Sequence, residues 1–298
     1  MPSWPVPVSP PWPLIEVAIA PRSATDADLL QSALSRLVDE TKISFARHET
    51  TFLLGGLSEL HLEIAIEGLR RGGNPEFVVG APQIAYREVL GCAVHVDYVY
   101  KRLFDVRREF ARVVIDFAPL ATGSGFIFKN AASGAVPEEF VSGVEKGLQI
   151  ARENGVRAGF PLIDFVATLS DGAYHDIESS AFAFQKAAYC AVQELKEKGN
   201  VQLAEPFMTV ELCTSEKYLG AIVSDLESRR GMIENQSAKE GVVILNASVP
   251  LANMYGYKNT LNAISERRAT HVMGFCEYRL LSLPDDDPPF PPAVGMRA

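Results

Sequence analysis

The chain has 298 residues, of which 47 % are hydrophobic, and a formal net charge of −9. This length allows two or three domains with their own cores, and the acidic balance disfavours a protein that coats nucleic acid by charge alone. No apolar stretch approaches the about 20 residues that cross a bilayer, and the N-terminus lacks a secretion signal. We therefore expect a cytoplasmic protein with no membrane partner.

The cysteines are far apart in the sequence: Cys92, Cys190, Cys213 and Cys276. They form no Cys-x-x-Cys pair and have no histidine at ligand spacing. The sequence therefore predicts neither a metal site nor a disulfide framework, and a reducing compartment fits best.

Residues 1–13 and 284–298 are rich in proline and aperiodic, which predicts irregular tails. Between them, residues 14–82 predict the element order βαββαβ of a ferredoxin-like sandwich. Thr25 and Asp28 form the expected capping box of its first helix.

Residues 59–69 fit both a strand pattern and a helix pattern, but the glycines on either side favour a helix. His61 and Glu63 lie in this segment at i, i+2 spacing, which places them on different sides of a helix. We expect these two residues to pack in the fold and not to bind a metal.

Residues 83–203 predict a central α+β domain. Its basic hairpin (residues 98–112) carries, besides Arg112, four closely spaced cations: Lys101, Arg102, Arg107 and Arg108. Pro137 marks the first turn of a later helix. A strand then leads into residues 171–180, Asp-Gly-Ala-Tyr-His-Asp-Ile-Glu-Ser-Ser, and into a helix that we expect to end at a left-handed Gly199.

Residues 204–283 repeat the order βαββαβ. The predicted fold class is therefore α+β, with two ferredoxin-like sandwiches flanking a central α+β domain. This architecture alone indicates no function, because such sandwiches serve many unrelated roles.

Several strings, in order along nearly the whole chain, resemble bacterial elongation factor G, the ribosomal translocase. Leu-Ser-Glu-Leu-His-Leu-Glu-Ile at residues 57–64 is similar to the family's Gly-Glu-Leu-His-Leu-Glu, and Gly-Ala-Pro-Gln-Ile-Ala-Tyr-Arg-Glu at 80–88 is similar to the junction into its fourth domain. Further similar strings lie at residues 134–140, 171–180, 229–233, 249–251 and 254–257.

The resemblance implies domains three, four and five of that family, over residues 14–82, 83–203 and 204–283. It also implies that the central domain has the small-subunit ribosomal-protein-like fold of domain four and protrudes. The implied partners are the ribosome, ribosomal RNA and the tRNA–mRNA pair in the decoding site, contacted by a monomer.

The same resemblance implies the contact residues. Tyr174, His175 and Asp176 would meet exposed nucleotides, while the four cations of the basic hairpin would contact phosphates. Arg229, Arg230 and Gly231 would face the large subunit, although two arginines at a helix end also complement the helix dipole. A solvated loop whose helix is capped by Asp176 or Ser179 is the simpler alternative.

The chain departs from the family at residues 103–109, Leu-Phe-Asp-Val-Arg-Arg-Glu, where the family carries Ser-Gly-Gly-Arg-Gly-Gln. Losing these glycines removes backbone freedom and close approach to RNA, which points towards a divergent paralogue. The family's usual C-terminal helix is also missing from the sequence.

No Gly-x-x-x-x-Gly-Lys-Ser/Thr phosphate loop occurs in the 298 residues. We therefore expect no enzymatic activity and no cofactor in this chain, because GTP and magnesium would belong to another domain. Two other functions stay open. One is a stand-alone ribosome-binding module that competes with the intact translocase, and the other is a small hydrolase with His175 as base and Ser179 as nucleophile.

Overall fold

The computed structural model describes residues 13–41, 43–48, 50–71, 75–104, 107–132, 134–239 and 241–281. The two predicted tails lie almost entirely outside these residues. The described chain contains both helices and strands, and its strands build several sheets, which confirms the α+β class. The described chain divides into two compact units, residues 13–85 with 205–279, and residues 86–204 with 280–281.

The first unit contains nine strands in whole or in part and four helices among its described residues. Its strands are β1 (Ile15–Pro21), β2 (Ser44–His48), β3 (Thr51–Gly56), β4 (Phe77–Val79), β5 (Gln83–Ile84), β12 (Gln202–Ser215, from residue 205), β13 (Met232–Lys239), β14 (Val242–Pro250) and β15 (Thr270–Leu280, to residue 279). Its helices are α1 (Ala24–Glu40), α2 (Glu59–Arg71), α6 (Glu216–Ser228) and α7 (Tyr257–Ile264), with a 3-10 turn at Leu251–Asn253.

Both halves of this unit have the predicted ferredoxin-like order. Strands β2-β3-β1-β4 form one sheet, and β13-β14-β12 with β15 on β12 form the other, so the first strand of each module lies between the third and the fourth. Leu30 and Leu34 of α1, together with Leu62 of α2, are fully buried, whereas Leu60 and Ile64 of α2 are exposed. Helix α2 confirms the helical interpretation of residues 59–69.

The second unit holds a sheet in the order β7-β8-β11-β9. Its elements are β6 (Arg87–Val89), β7 (Val94–Phe104), β8 (Arg107–Pro119), β9 (Phe126–Asn130), α3 (Glu138–Asn154), β10 (Leu162–Ile163), β11 (Phe165–Ala173), α4 (Ala181–Gln193) and α5 (Leu195–Lys198). Strand β6 pairs with β10 and with the first residues of β12. The sheet and the helices share one apolar core that includes Ile115, Leu148, Phe165 and Phe184.

Helices α3 and α4 pack backbone to backbone. A methyl group on Gly143 would lie 2.1 Å from the carbonyl oxygen of Ala181, and one on Gly147 would lie 2.2 Å from that of Gln185. No real side chain tolerates such distances, so both positions require glycine. The contact places the start of α4, and hence the loop that precedes it.

A buried carboxylate anchors the loop after α3. Glu88 is fully buried, and its two oxygens accept hydrogen bonds from the backbone N–H groups of five consecutive residues, 156–160, at 2.6–3.4 Å. A carboxylate loses its hydrogen bonds to water when it is buried, and the five backbone N–H groups replace them.

Asp164 ties another turn in the same way, because it accepts bonds from the N–H groups of Gly123 and Gly125 at 3.0 and 2.8 Å.

Two local predictions were wrong. The first helix is capped by Ser23, whose hydroxyl accepts from the N–H of Asp26, so the cap lies two residues before the predicted Thr25. Gly199 follows α5 with φ −92°, which is not left-handed. Glycine is needed there for space, since a methyl group would lie 2.6 Å from a methyl of Leu90.

Candidate nucleic-acid interface

The His175 loop (residues 174–180) joins β11 to α4 and is closed by its own hydrogen bonds. The N–H of His175 donates to the hydroxyl of Ser179 at 2.9 Å, and the N–H of Ser179 donates back to the carbonyl of His175 at 3.0 Å. Ser180 then caps α4 by accepting from the N–H of Ala183 at 3.1 Å. The loop is therefore a defined turn, and its cap is Ser180 instead of Asp176 or Ser179.

The imidazole of His175 is exposed and oriented. Its Nδ1 accepts a hydrogen bond from the N–H of Ile177 at 3.3 Å. When one ring nitrogen of a neutral histidine accepts, the other carries the proton. His175 therefore presents Nε2–H, a donor suited to an oxygen of a phosphate, a ribose or a base.

Two main-chain groups of the basic hairpin hold the His175 loop. The hydroxyl of Ser179 donates to the carbonyl of Phe110 at 2.7 Å, and the N–H of Phe110 donates to the carbonyl of Glu178 at 3.0 Å. The structure thus brings together the basic hairpin and the His175 loop, which are separate segments in the sequence.

Tyr174 is only partly available to a partner. Its ring lies 6.0 Å from that of Phe140, which itself stacks on Phe184 at 5.1 Å. Tyr174 is 44 % exposed, so its ring both contacts Phe140 and remains accessible to solvent.

The cations of the basic hairpin have different surroundings. Lys101, Arg102 and Arg108 are exposed, and the ammonium of Lys101 lies 5.8 Å from the ring centre of Phe110. The side chain of Arg107 lies outside the described part of the chain. Arg112, at the end of the same segment, is engaged differently.

Arg112 donates two hydrogen bonds to the carboxylate of Asp97, at 2.7 and 2.9 Å, and one to Asp171 at 3.2 Å. The guanidinium of Arg112 holds the pKa of Asp97 below its ordinary value. This bidentate pair ties β7, β8 and β11 together on the solvent face of the sheet.

The arrangement does not support a hydrolase. The Ser179 hydroxyl gives its proton to the Phe110 carbonyl, and the near nitrogen of His175 faces the N–H of Ile177. A serine nucleophile needs its base at its own hydroxyl, and that hydrogen bond is missing between these two described residues. Within the described ranges, no group of three or more His, Cys, Asp or Glu side chains has metal-binding geometry.

Arg229 is engaged inside the last ferredoxin-like module. Its guanidinium donates to Asp225 at 2.8 Å, to the carbonyl of Asn253 at 2.6 Å and to Thr260 at 3.3 Å, and it lies over the ring of Tyr257. This network gives Arg229 a structural role. Its predicted contact with the large subunit would require some of these hydrogen bonds to break.

Arg230 adopts a left-handed φ of 64° and pairs with the buried Glu205. Burial raises the pKa of Glu205, while the Arg230 guanidinium opposes this shift. Gly231 is needed for space, because a methyl group there would lie 2.7 Å from the carbonyl of Leu226.

His61 accepts a hydrogen bond from the N–H of Leu57 through Nδ1 at 3.3 Å. It therefore helps to close the start of α2, as a packing role requires.

Ile177 was not among the predicted contact residues. This side chain is 88 % exposed in the middle of the His175 loop. Its signal was a single aliphatic residue between Asp176 and Glu178 in an otherwise polar turn. Ser179 and Phe110 were also missed as anchoring residues, because their contacts join segments 69 residues apart.

In comparisons with known proteins, three family models match along the chain. The family described as Elongation factor G, domain IV matches residues 82–200, Elongation Factor G, domain III matches residues 10–81, and Elongation factor G C-terminus matches residues 202–286. No helix among the described residues combines the length and apolarity needed to cross a membrane.

Curated relatives named elongation factor G share this region. The protein of Hyphomonas neptunium is 45 % identical over 90 % of this chain and 38 % of its own length, and that of Wolbachia pipientis is 44 % identical over 90 % of this chain and 40 % of its own. The chain thus spans about two fifths of their length. A crystal structure of a Thermus thermophilus protein superposes with a TM-score of 0.69 at 28 % identity, covering 95 % of this chain and 42 % of that one. By these matches the chain belongs to the elongation factor G family, from domain III to the C-terminal domain.

Proposed function

We propose that this chain binds the ribosome and, when joined to a GTPase domain, promotes the movement of tRNA and mRNA. The relatives' name supports a role in translation elongation. The observation that carries the proposal is the exposed His175 loop, held rigidly on the basic hairpin through Phe110. Rigid display of a donor beside cations suits recognition of structured RNA.

The chemistry divides between the two segments. Lys101, Arg102 and Arg108 would contact phosphates, which adds affinity without reading sequence. His175 would donate through Nε2–H to an oxygen of the RNA. Arg107 stays in the proposal as a fourth phosphate contact, and Tyr174 contributes only its solvent-facing side. Arg230 and Gly231 remain the proposed large-subunit contacts, together with Arg229 if its network opens.

The GTP-dependent step would lie outside this chain. The 298 residues contain no phosphate-loop motif, and we propose that GTP and magnesium are bound by another domain. We further propose that the chain is monomeric and works in the cytoplasm.

Co-sedimentation with 70S ribosomes at several salt concentrations tests the proposal. Charge reversal of one phosphate contact, Arg108→Glu, should weaken binding. It should also make the negative slope of log affinity against log salt less steep by about one. Arg36→Glu, an exposed arginine of α1 in the other unit, is the matched control and should leave the slope unchanged. Failure of the wild-type chain to sediment with ribosomes would refute the proposal.

A translation assay separates two forms of this function. A stand-alone competitor would inhibit translation by the intact translocase at stoichiometric concentrations. A chain that acts only when joined to a GTPase domain would restore translocation as a fusion.

A further inference from the structure

We propose that Ile177 is the base-contacting residue of the His175 loop, packing its side chain on an unstacked RNA base. The inference rests on the proposed function and adds the chemical group that the loop recognises. Ile177 is 88 % exposed, the highest value among the large hydrophobic side chains of the described residues. Such an exposed aliphatic side chain leaves apolar surface in contact with water. A partner that covers this surface gains free energy of binding.

The loop holds Ile177 in a fixed place. Its N–H is bound by Nδ1 of His175, and the next two residues are bound to Phe110 through the Glu178 carbonyl and the Ser179 hydroxyl. An apolar side chain on a rigid turn loses little backbone entropy when it binds, so its burial adds directly to affinity.

The charges around Ile177 indicate which part of RNA it meets. Asp176 and Glu178 flank it in the sequence, and two carboxylates disfavour a phosphate at this point. The cations lie instead on the neighbouring hairpin, at Lys101 and Arg108. The hairpin therefore suits the phosphates, while the loop suits a base or a ribose, which offer an apolar face and oxygen acceptors.

A second exposed aliphatic residue lies on the hairpin. Leu103 is 69 % exposed and stands two residues beyond Lys101, which pairs with Phe110. Phe110 holds the His175 loop and lies opposite Lys101. At about 3.3 Å per residue, Leu103 is therefore about 7 Å further along the strand than Lys101. Leu103 thus adds an exposed aliphatic side chain to the hairpin that holds the His175 loop.

The test compares Ile177→Ala with Ile177→Leu in the full chain, using 70S ribosomes. Removing three aliphatic carbons that become about half buried should weaken binding about tenfold, with the salt slope unchanged. Ile177→Leu should retain most of the affinity. Ile64→Ala is the matched control, because Ile64 is 62 % exposed on α2 in the other unit, and it should bind like the wild type.

Chemical probing of ribosomal RNA identifies the contacted group. Wild-type chain should protect at least one base from a base-specific reagent such as dimethyl sulfate, and Ile177→Ala should lose that protection. Unchanged affinity of Ile177→Ala would overturn the inference and leave the proposed function intact. Weaker binding with unchanged base protection would also overturn it, since Ile177 would then contact a ribose or a ribosomal protein instead of a base. Absence of wild-type binding would instead remove the proposed function itself.

Discussion

The contact between α3 and α4 makes a sharp prediction about Gly147. In Gly147→Ala, the new methyl group would lie 2.2 Å from the carbonyl oxygen of Gln185 and 3.0 Å from the β-carbon of Ala188. Ordinary carbon–oxygen contacts are about 1 Å longer, so the helices must separate. The first clash is with helix backbone, which cannot move aside as a side chain can.

The expected magnitude combines two opposing effects. Alanine is about 1 kcal/mol better than glycine in a helix interior, whereas overpacking a tight core costs about 3 kcal/mol. We expect a net loss of about 2 kcal/mol of unfolding free energy. Gly220→Ala is the control, because Gly220 is an exposed glycine of α6 and the added methyl would have no atom within 4 Å beyond its chain neighbours and its own helix backbone. This variant should be more stable than the wild type by about 0.8 kcal/mol.

Urea denaturation followed by circular dichroism measures both variants, and native-state hydrogen exchange assigns the loss to the second unit. Opposite signs for the two glycines are the expected result. A Gly147→Ala variant as stable as the wild type would refute the close helix packing.

Three further predictions concern stability. Arg267 has a left-handed φ of 62°, so Arg267→Gly should raise the unfolding free energy by about 1 kcal/mol. Arg268 has no positive φ, so Arg268→Gly should give no such gain. Equal effects of the two substitutions in urea denaturation would contradict this. Glu88→Gln replaces a carboxylate that accepts five backbone N–H groups and should cost about 3 kcal/mol, with faster amide exchange in residues 156–160; unaltered exchange would count against it. Burial raises the pKa of Glu205, so the folded state favours its protonated form. The protonated carboxyl therefore contributes to the free energy of unfolding at low pH. That contribution is lost as the pH rises from the ordinary glutamate range through the raised pKa. Thermal melting of Glu205→Gln should therefore show a smaller loss of stability over that range, and parallel profiles would disprove the assignment.

Local patterns predicted the elements well where one face is buried. The apolar periodicity of α1 and α2 and the alternation in the strands reflect burial directly, so both ferredoxin-like modules were recognised. The cap at Ser23 was missed because Thr25 offers the same chemistry two residues later, and only backbone geometry distinguishes them.

Features made by distant residues were not predictable from such patterns. Glu88 meets its five amides 68 to 72 residues later in the chain, and nothing in its neighbours signals burial. The partners of Arg229 at Asn253 and Thr260 were likewise not visible in the sequence, and its contact with the large subunit stays a prediction. His175 and Arg108 are exposed, as a contact with RNA requires. The contact itself and the division into three domains remain predictions.

The attachment of the His175 loop to the hairpin has an evolutionary consequence. Both bonds end on the main chain of residue 110, whose N–H and carbonyl every amino acid except proline supplies. Side chains along the neighbouring turn are therefore free to drift without releasing the histidine. Substitutions in the segment Leu-Phe-Asp-Val-Arg-Arg-Glu at residues 103–109 can therefore accumulate while both bonds to the His175 loop are kept.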